Sequence, residues 1–267
     1  MNHHSNRWPR RVLAAFCIAI LSFLIVPLAI IFPLSFSSAA FLQFPPPSYS
    51  LRWYEAFFES SSWISSAWLS IKVAVATTIV ALLLGVPVSY YLARTRSRFL
   101  VWLVDKAMVA PIIIPGMVVA ISIYSFLASF RLVGTFSALV LGHLVLALPF
   151  VVIVMTAGLR QFDRQLEDAA VGLGAARLRA VMLVTLPLTR ASILTAAFFA
   201  FMASFDDLVI ALFLSGANAT LPKKTFENIG YALDPTIAVV STLQIAMLVL
   251  VGLGWYVLVG RKTKLVG

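Results

Sequence analysis

The sequence predicts an all-α membrane protein that crosses the bilayer six times, with both termini in the cytoplasm. Three observations carry that expectation. Of 267 residues, 61% are hydrophobic and only 11% are charged, under half the roughly 25% charge of a soluble domain. The apolar residues gather into stretches long enough to span about 30 Å of hydrocarbon, which takes about 20 residues at 1.5 Å each. The basic residues sit in short clusters between those stretches and favour one side.

The elements follow in order. Val12–Leu51 carries no charge, and its apolar core is longer than a signal-peptide core. Residues 12–34 therefore read as an uncleaved first span, in spite of Arg7, Arg10 and Arg11 ahead of them. An outer segment, 41–62, holds the extended run Pro45-Pro46-Pro47 and a short interfacial helix at Leu51–Phe58. The second span is 64–93 and the third 104–128. Pro111 and Pro115 lie four apart in the third. A proline inside a span frees a carbonyl that a cavity or a neighbouring helix must satisfy. That spacing marks a broken, pathway-lining segment, whereas Pro87 and Pro149 fit ordinary packing geometry as well. The fourth span is 137–159, the fifth 190–214, interrupted only by Asp206 and Asp207, and the last 236–259. No internal repeat or linker marks a second domain.

Orientation comes from Arg and Lys. With the N-terminus inside, the inner segments hold fifteen of them, among them Arg94, Arg96, Arg98, Arg160, Arg164, Arg177, Arg179 and Arg190. The outer segments hold four, Arg52, Arg131, Lys223 and Lys224, and Lys72 lies within the second span. Trp8, Trp102 and Trp255 fall at inner edges and Trp53, Trp63 and Trp68 at outer ones, where amphipathic rings sit.

Composition also excludes. The net charge of +10 is not gathered into a basic patch interleaved with exposed aromatics, so it does not describe a nucleic-acid surface. Cys17 is the only cysteine and makes neither a disulfide nor a thiolate metal site; a lone His143 makes no metal site either. No Gly-x-x-x-x-Gly-Lys-Ser/Thr, His-Glu-x-x-His or Gly-x-Ser-x-Gly occurs. The chain reads as non-catalytic and without a cofactor of its own.

Two places are informative. In the loop 160–190, Phe162, Leu166, Ala169, Ala170 and Leu173 recur at helical spacing, with Asp163, Arg164, Glu167 and Asp168 on the other side. Gly172 and Gly174 end that helix, and Pro187 restarts one. An amphipathic helix between two spans buries its stripe either on a cytoplasmic partner or in the headgroup layer. The second place is Ser204-Phe205-Asp206-Asp207, roughly 24 Å along span five and so in its outer half. Intramembrane acids are costly and face a bundle interior or a cavity. On a continuous helix the two point about 100° apart and serve differently. Three roles stay open for them: a cation-attracting pathway lining, a structural bond to freed backbone groups or to Lys72, and a proton relay.

Glu167-Asp168-Ala169-Ala170-Val171-Gly172-Leu173-Gly174-Ala175, followed by Leu186-Pro187-Leu188, resembles the "EAA" loop of ABC importer permeases. Ser204-Phe205-Asp206-Asp207-Leu208-Val209-Ile210, Gly142-His143, Ala147-Leu148-Pro149-Phe150 and Ala110-Pro111 through Pro115 resemble the spermidine/putrescine branch. The resemblance implies the type I ABC importer permease fold over 1–267 as a single permease domain in the bacterial cytoplasmic membrane. The first helix then stands apart from the core helices at 64–259. It implies that Glu167 to Ala175 form a coupling helix seated on a separate ATPase, with Glu167, Asp168, Ala169, Ala170, Gly174, Ala175 and Pro187 as its coupling residues. Small Ala169, Ala170 and Gly174 would permit close approach, and Glu167 would pair with a basic residue of the ATPase. Asp206 and Asp207 become substrate-pathway residues for polyamines or related cationic or zwitterionic amines. The implied partners are an ATPase dimer that binds ATP and Mg, a second and different permease chain, and an extracytoplasmic binding protein. The alternatives are the same role for an amino-acid-like compound, an anion or a metal chelate with both acids structural, or an ion-coupled secondary transporter.

Overall fold

The computed structural model describes residues 7–231 and 234–260. Among these residues the secondary structure is helical, with no strand and one isolated bridge, Ser37 to Tyr49. Two compact units are present.

The first unit is the segment up to Ser61 together with Glu227–Met247. Its opening helix, α1, runs Arg7–Ser35 with Pro27 and Pro33 inside it, and residues 12–29 are exposed throughout. A loop turns back on itself through the bridge and through a bond between the hydroxyls of Ser38 and Ser48. Then α2, Arg52–Glu59, is the short helix expected at 51–58. Its polar edge ties it to the loop: Arg52 donates to the Ser38 carbonyl at 3.1 Å and Trp53 Nε1 to the Ala39 carbonyl at 3.0 Å. The Tyr54 hydroxyl lies 2.9 Å from the Ser35 hydroxyl at the end of α1.

The second unit is Ser62–Phe226 with the segment from Leu248 onward. It holds α3 (Ser61–Arg94), α4 (Arg98–Ile113), α5 (Gly116–Ser129), α6 (Phe136–Gln161), α7 (Arg164–Gly172), α8 (Arg177–Ala180), α9 (Leu186–Leu188), α10 (Arg190–Phe205) and α11 (Val209–Leu214). A π-turn, Val181–Thr185, joins α8 to α9. Next come α12 (Leu221–Tyr231) and α13 (Thr236–Gly260), both of which run across the division between the units. Helix starts follow local chemistry: Ser97, Thr135 and Asp163 each accept a backbone N–H from the first turn of α4, α6 and α7.

Among the described residues four helices are long and apolar enough to cross a membrane, or up to six if each of two bent pairs counts as one span. The first bend falls where the spacing of Pro111 and Pro115 marked a break in the span expected at 104–128. The second lies just before the span expected at 190–214, whose own interruption after Phe205 corrects the expectation of one continuous helix there. In the first, α4 and α5 meet at 105°. Pro115 lacks an N–H and forces the preceding residue out of helical conformation, and Ile114 sits at φ −68°, ψ 136°. Pro111, four residues earlier, stays inside α4. In the second, Arg177–Leu188 and Arg190–Phe205 meet at 74° around Thr189, and α10 stops at Phe205. Asp206 and Asp207 therefore lie in a break between two helices, and the angular argument for a continuous helix does not apply to them.

Clusters of buried side chains hold this unit. One joins Val73 of α3 to Val119 and Leu127 of α5, Leu139 of α6, and Ile210 and Leu214 of α11. Another joins Ala81 of α3 to Val151, Met155 and Leu159 of α6 and to Ala196 and Ala200 of α10. Lipid tails are as apolar as leucine, so association rests on close packing at small residues. At Gly158 of α6 a Cβ would fall 2.5 Å from Ser192 Cβ of α10. Rotating the serine cannot relieve that clash. Gly158→Ala should cost about 1–3 kcal/mol as overpacking, seen as a lower unfolding midpoint in detergent with assembly otherwise intact.

Candidate functional site

The loop between α6 and α10 folds around one carboxylate. α7 starts at Asp163, whose side chain accepts the Gln165 N–H at 2.9 Å. It ends at Gly172, and Gly174 follows at φ +95°. A Cβ at Gly174 would meet nothing within 4 Å, so its glycine serves conformation rather than space. The Ala175 N–H returns to the Ala170 carbonyl at 3.1 Å and closes the turn.

Glu167 does not face outward from α7. It is 6% exposed, and its carboxylate collects three donors from two other elements. Oε1 accepts from Tyr90 Oη at 2.6 Å, and Oε2 accepts from Thr185 Oγ1 at 2.6 Å and pairs with Arg94. Tyr90 and Arg94 lie four apart on one face of the end of α3, with the guanidinium 4.6 Å above the tyrosine ring. Thr185 ends the π-turn and is fully buried. The expected partner of Glu167 is a basic residue of the ATPase; in this structure three donors of its own chain hold the carboxylate.

Burial alone would push the Glu167 carboxyl up. The bonds from Thr185, Tyr90 and Arg94, with the charge of Arg94, outweigh it and hold the group below its ordinary value of 4.5. Arg164, Asp168, Val171 and Arg177 line the same cleft.

The other residues expected to meet the ATPase are more open. Asp168 is exposed and lies 3.7 Å from Arg164 one turn earlier. Ala169, Gly174 and Pro187 are exposed, and Ala170 and Ala175 half-buried. Apolar side chains accompany them: Leu166 is 48% exposed, Leu173 91%, Leu178 68% and Leu183 69%. The stripe expected on Leu166 and Leu173 is uncovered by this chain.

The second place is the break after α10. Asp206 is exposed, while the Asp207 side chain is 10% exposed. Asp207 Oδ2 accepts the N–H groups of Ile210 at 2.8 Å and Ala211 at 3.4 Å, satisfying first-turn donors of α11. The same oxygen lies 3.7 Å from His143 Nε2, beyond hydrogen-bond range. His143, 1% exposed, is anchored through Nδ1 to Ser204 Oγ at 2.8 Å. Of the structural roles left open, the bond to freed backbone groups is present at Asp207. Among the described residues Lys72 pairs with neither acid, and its ammonium sits 5.5 Å over the Trp68 ring.

Sequence reasoning singled out Glu167, Asp206 and Asp207 but missed Tyr90, Arg94 and Thr185 as partners. Arg94 served only as an orientation charge, and only the four-residue spacing of Tyr90 and Arg94 hinted at a shared face.

Residues 85–265 match the family of binding-protein-dependent transport system inner membrane components. The chain belongs to that family. It is the permease subunit of an ABC importer and a multi-pass protein of the bacterial inner membrane. This permease is similar to the putrescine transport system permease protein PotI of Escherichia coli (strain K12), 29% identical over 254 residues that cover 91% of this chain and 89% of PotI. It is 27% identical over 259 residues to the spermidine/putrescine transport system permease protein PotC of the same strain, covering 96% of each. Its fold is similar to that of a chain of a bacterial ABC transporter involved in the import of the acidic polysaccharide alginate. The TM-score is 0.75 at 19% identity, over 98% of this permease and 99% of that chain. As a permease component it leaves ATP hydrolysis to partner subunits, and import requires a solute-binding protein and a second permease besides.

Two outcomes are expected. Because the Glu167 carboxyl titrates low, its stabilisation is complete above its unfolded value and is lost only as pH falls through the folded one. The melting difference between wild type and Glu167→Gln should stay flat from about pH 8 to about pH 5 and shrink below 4.5. Asp207→Ala, which strips the acceptor from two N–H groups, should cost about 0.5–2 kcal/mol in thermal unfolding, with Asp207→Asn losing less.

Proposed function

We propose that this permease forms, with a second and different permease chain, the translocation path for polyamines or related cationic or zwitterionic amines. The observation that carries the reading is sequence likeness to PotI and PotC over nine-tenths of the chain or more. Asp206 supports it as an exposed carboxylate at a break in an apolar helix, a place where a cation gains Coulomb energy without displacing a hydrogen-bonded partner.

The mechanism is alternating access. The excess of Arg and Lys in the N-terminal segment, the 160–190 loop and the C-terminal segment supports a cytoplasmic position for both termini and for that loop. The loop is the coupling element: exposed Leu166, Leu173, Leu178 and Leu183 supply an apolar face, and exposed Asp168 a charge, for a separate ATPase that holds ATP and Mg. Closure of the ATPase dimer displaces α7 and, through it, the core helices. An extracytoplasmic binding protein delivers the solute.

A second reading has a specific observation behind it. Asp207 already caps α11, so the same path with only Asp206 free also suits an amino-acid-like solute.

The test is ATPase activity of the reconstituted complex with its binding protein, across putrescine, spermidine, amino acids and anions. Stimulation by putrescine or spermidine is expected. Asp206→Asn should raise the amine concentration needed by about fivefold, the equivalent of ~1 kcal/mol for unit charges about 4 Å apart in water. Stimulation by an anion alone would sink the amine reading and leave the permease role standing.

A further inference from the structure

We infer that Glu167 is a positioning residue, an internal joint that makes the coupling loop and the end of α3 move as one body. The inference rests on the coupling role proposed above for this loop. It assigns Glu167 a different task from docking: transmission within the chain.

The geometry points this way on three counts. First, the carboxylate binds across elements distant in sequence, Tyr90 and Arg94 on α3 and Thr185 in the π-turn that leads to α10. A displacement of α7 therefore pulls on α3 and on the entry to α10 together. Second, the joint is stiff. An ionised acceptor with short charge-assisted bonds in a buried setting resists opening, since each donor left unpaired there is costly. The Arg94 guanidinium is fixed besides by the Tyr90 ring at 4.6 Å. Third, the joint is compact where the rest of the loop is open: Glu167 is 6% exposed beside Leu173 at 91%. The surface open to another protein and the residue that holds the loop to the core are thus different residues of one short segment, 164–173. Allosteric transmission needs such an element, one that shifts as a unit, rather than mere spatial intermediacy.

The experiment uses the full complex of permease chains, ATPase and binding protein in proteoliposomes, with spin labels on cysteines at Arg96 and Arg179. Both positions are exposed, and Cys17 is replaced by serine. In the wild type the distance between the labels should stay the same, with a narrow distribution, in the nucleotide-free and ATP–vanadate states. In Glu167→Gln and in Tyr90→Phe it should broaden or change between states. Transport of putrescine per ATP hydrolysed should fall at least tenfold in Glu167→Gln while the ATPase co-purifies in normal amount. The reversed pair Arg94→Glu/Glu167→Arg should recover part of the coupling that each single reversal loses.

A wild-type distance that changes between nucleotide states overturns the inference. So does loss of ATPase co-purification in Glu167→Gln with normal behaviour in Arg94→Gln, because Glu167 would then touch the ATPase itself. The distance measurement needs no solute. A wild-type complex that ignores putrescine and spermidine but keeps the fixed distance defeats the amine reading and leaves the joint standing.

Discussion

Hydrocarbon offers no partner to a backbone N–H or C=O, and this constraint orders the structure. Straight helices meet it by default. At several helix ends of this chain a side chain or a neighbouring turn takes over. Asp207 receives N–H groups at the start of α11. At the other end of α11 the Gly134 N–H, in the turn before α6, binds the Leu214 carbonyl at 2.9 Å. The Leu221 N–H at the head of α12 binds Ser70 of α3 at 2.7 Å. The irregular segments are thus tied to the regular ones.

The same logic with charge replacing backbone explains the loop. Glu167 is buried without being orphaned because three donors converge on it. Remove any one and a charged or polar group is left in a poor solvent. Close packing at Gly85 against Val151, and at Gly158 against Ser192, brings α6 near α3 and α10. α6 is the common neighbour of the helices that the carboxylate connects.

What the sequence made legible was what composition and periodicity encode. The apolar windows, the interfacial helix at 52–59, the glycine turn after α7 and a break near Pro111 and Pro115 were all readable from residue type and spacing. Proline at 115 announced its bend because its chemistry is local. The stop at Phe205 was not readable, since nothing in Ser-Phe-Asp-Asp forbids a helix. It depends on Asp207 turning to bond the next segment. The inward turn of Glu167 was hidden for a related reason. In a helical pattern a carboxylate counts as a solvent-facing residue, and only its partners, seventy-seven and seventy-three positions earlier and eighteen later, reverse that assignment.

The short helix α11 has one more property. Asp207 places a negative charge at its positive end, and Lys223 donates to the Ser215 hydroxyl at 2.9 Å and the Gly216 carbonyl at 2.8 Å just past its negative end. Each charge opposes the partial charge of the helix macrodipole next to it, so both ends of α11 are stabilised from outside it. The orientation of α11 is therefore written into its flanks: with these two charges exchanged, each would face a like partial charge and the segment would lose stability at both ends.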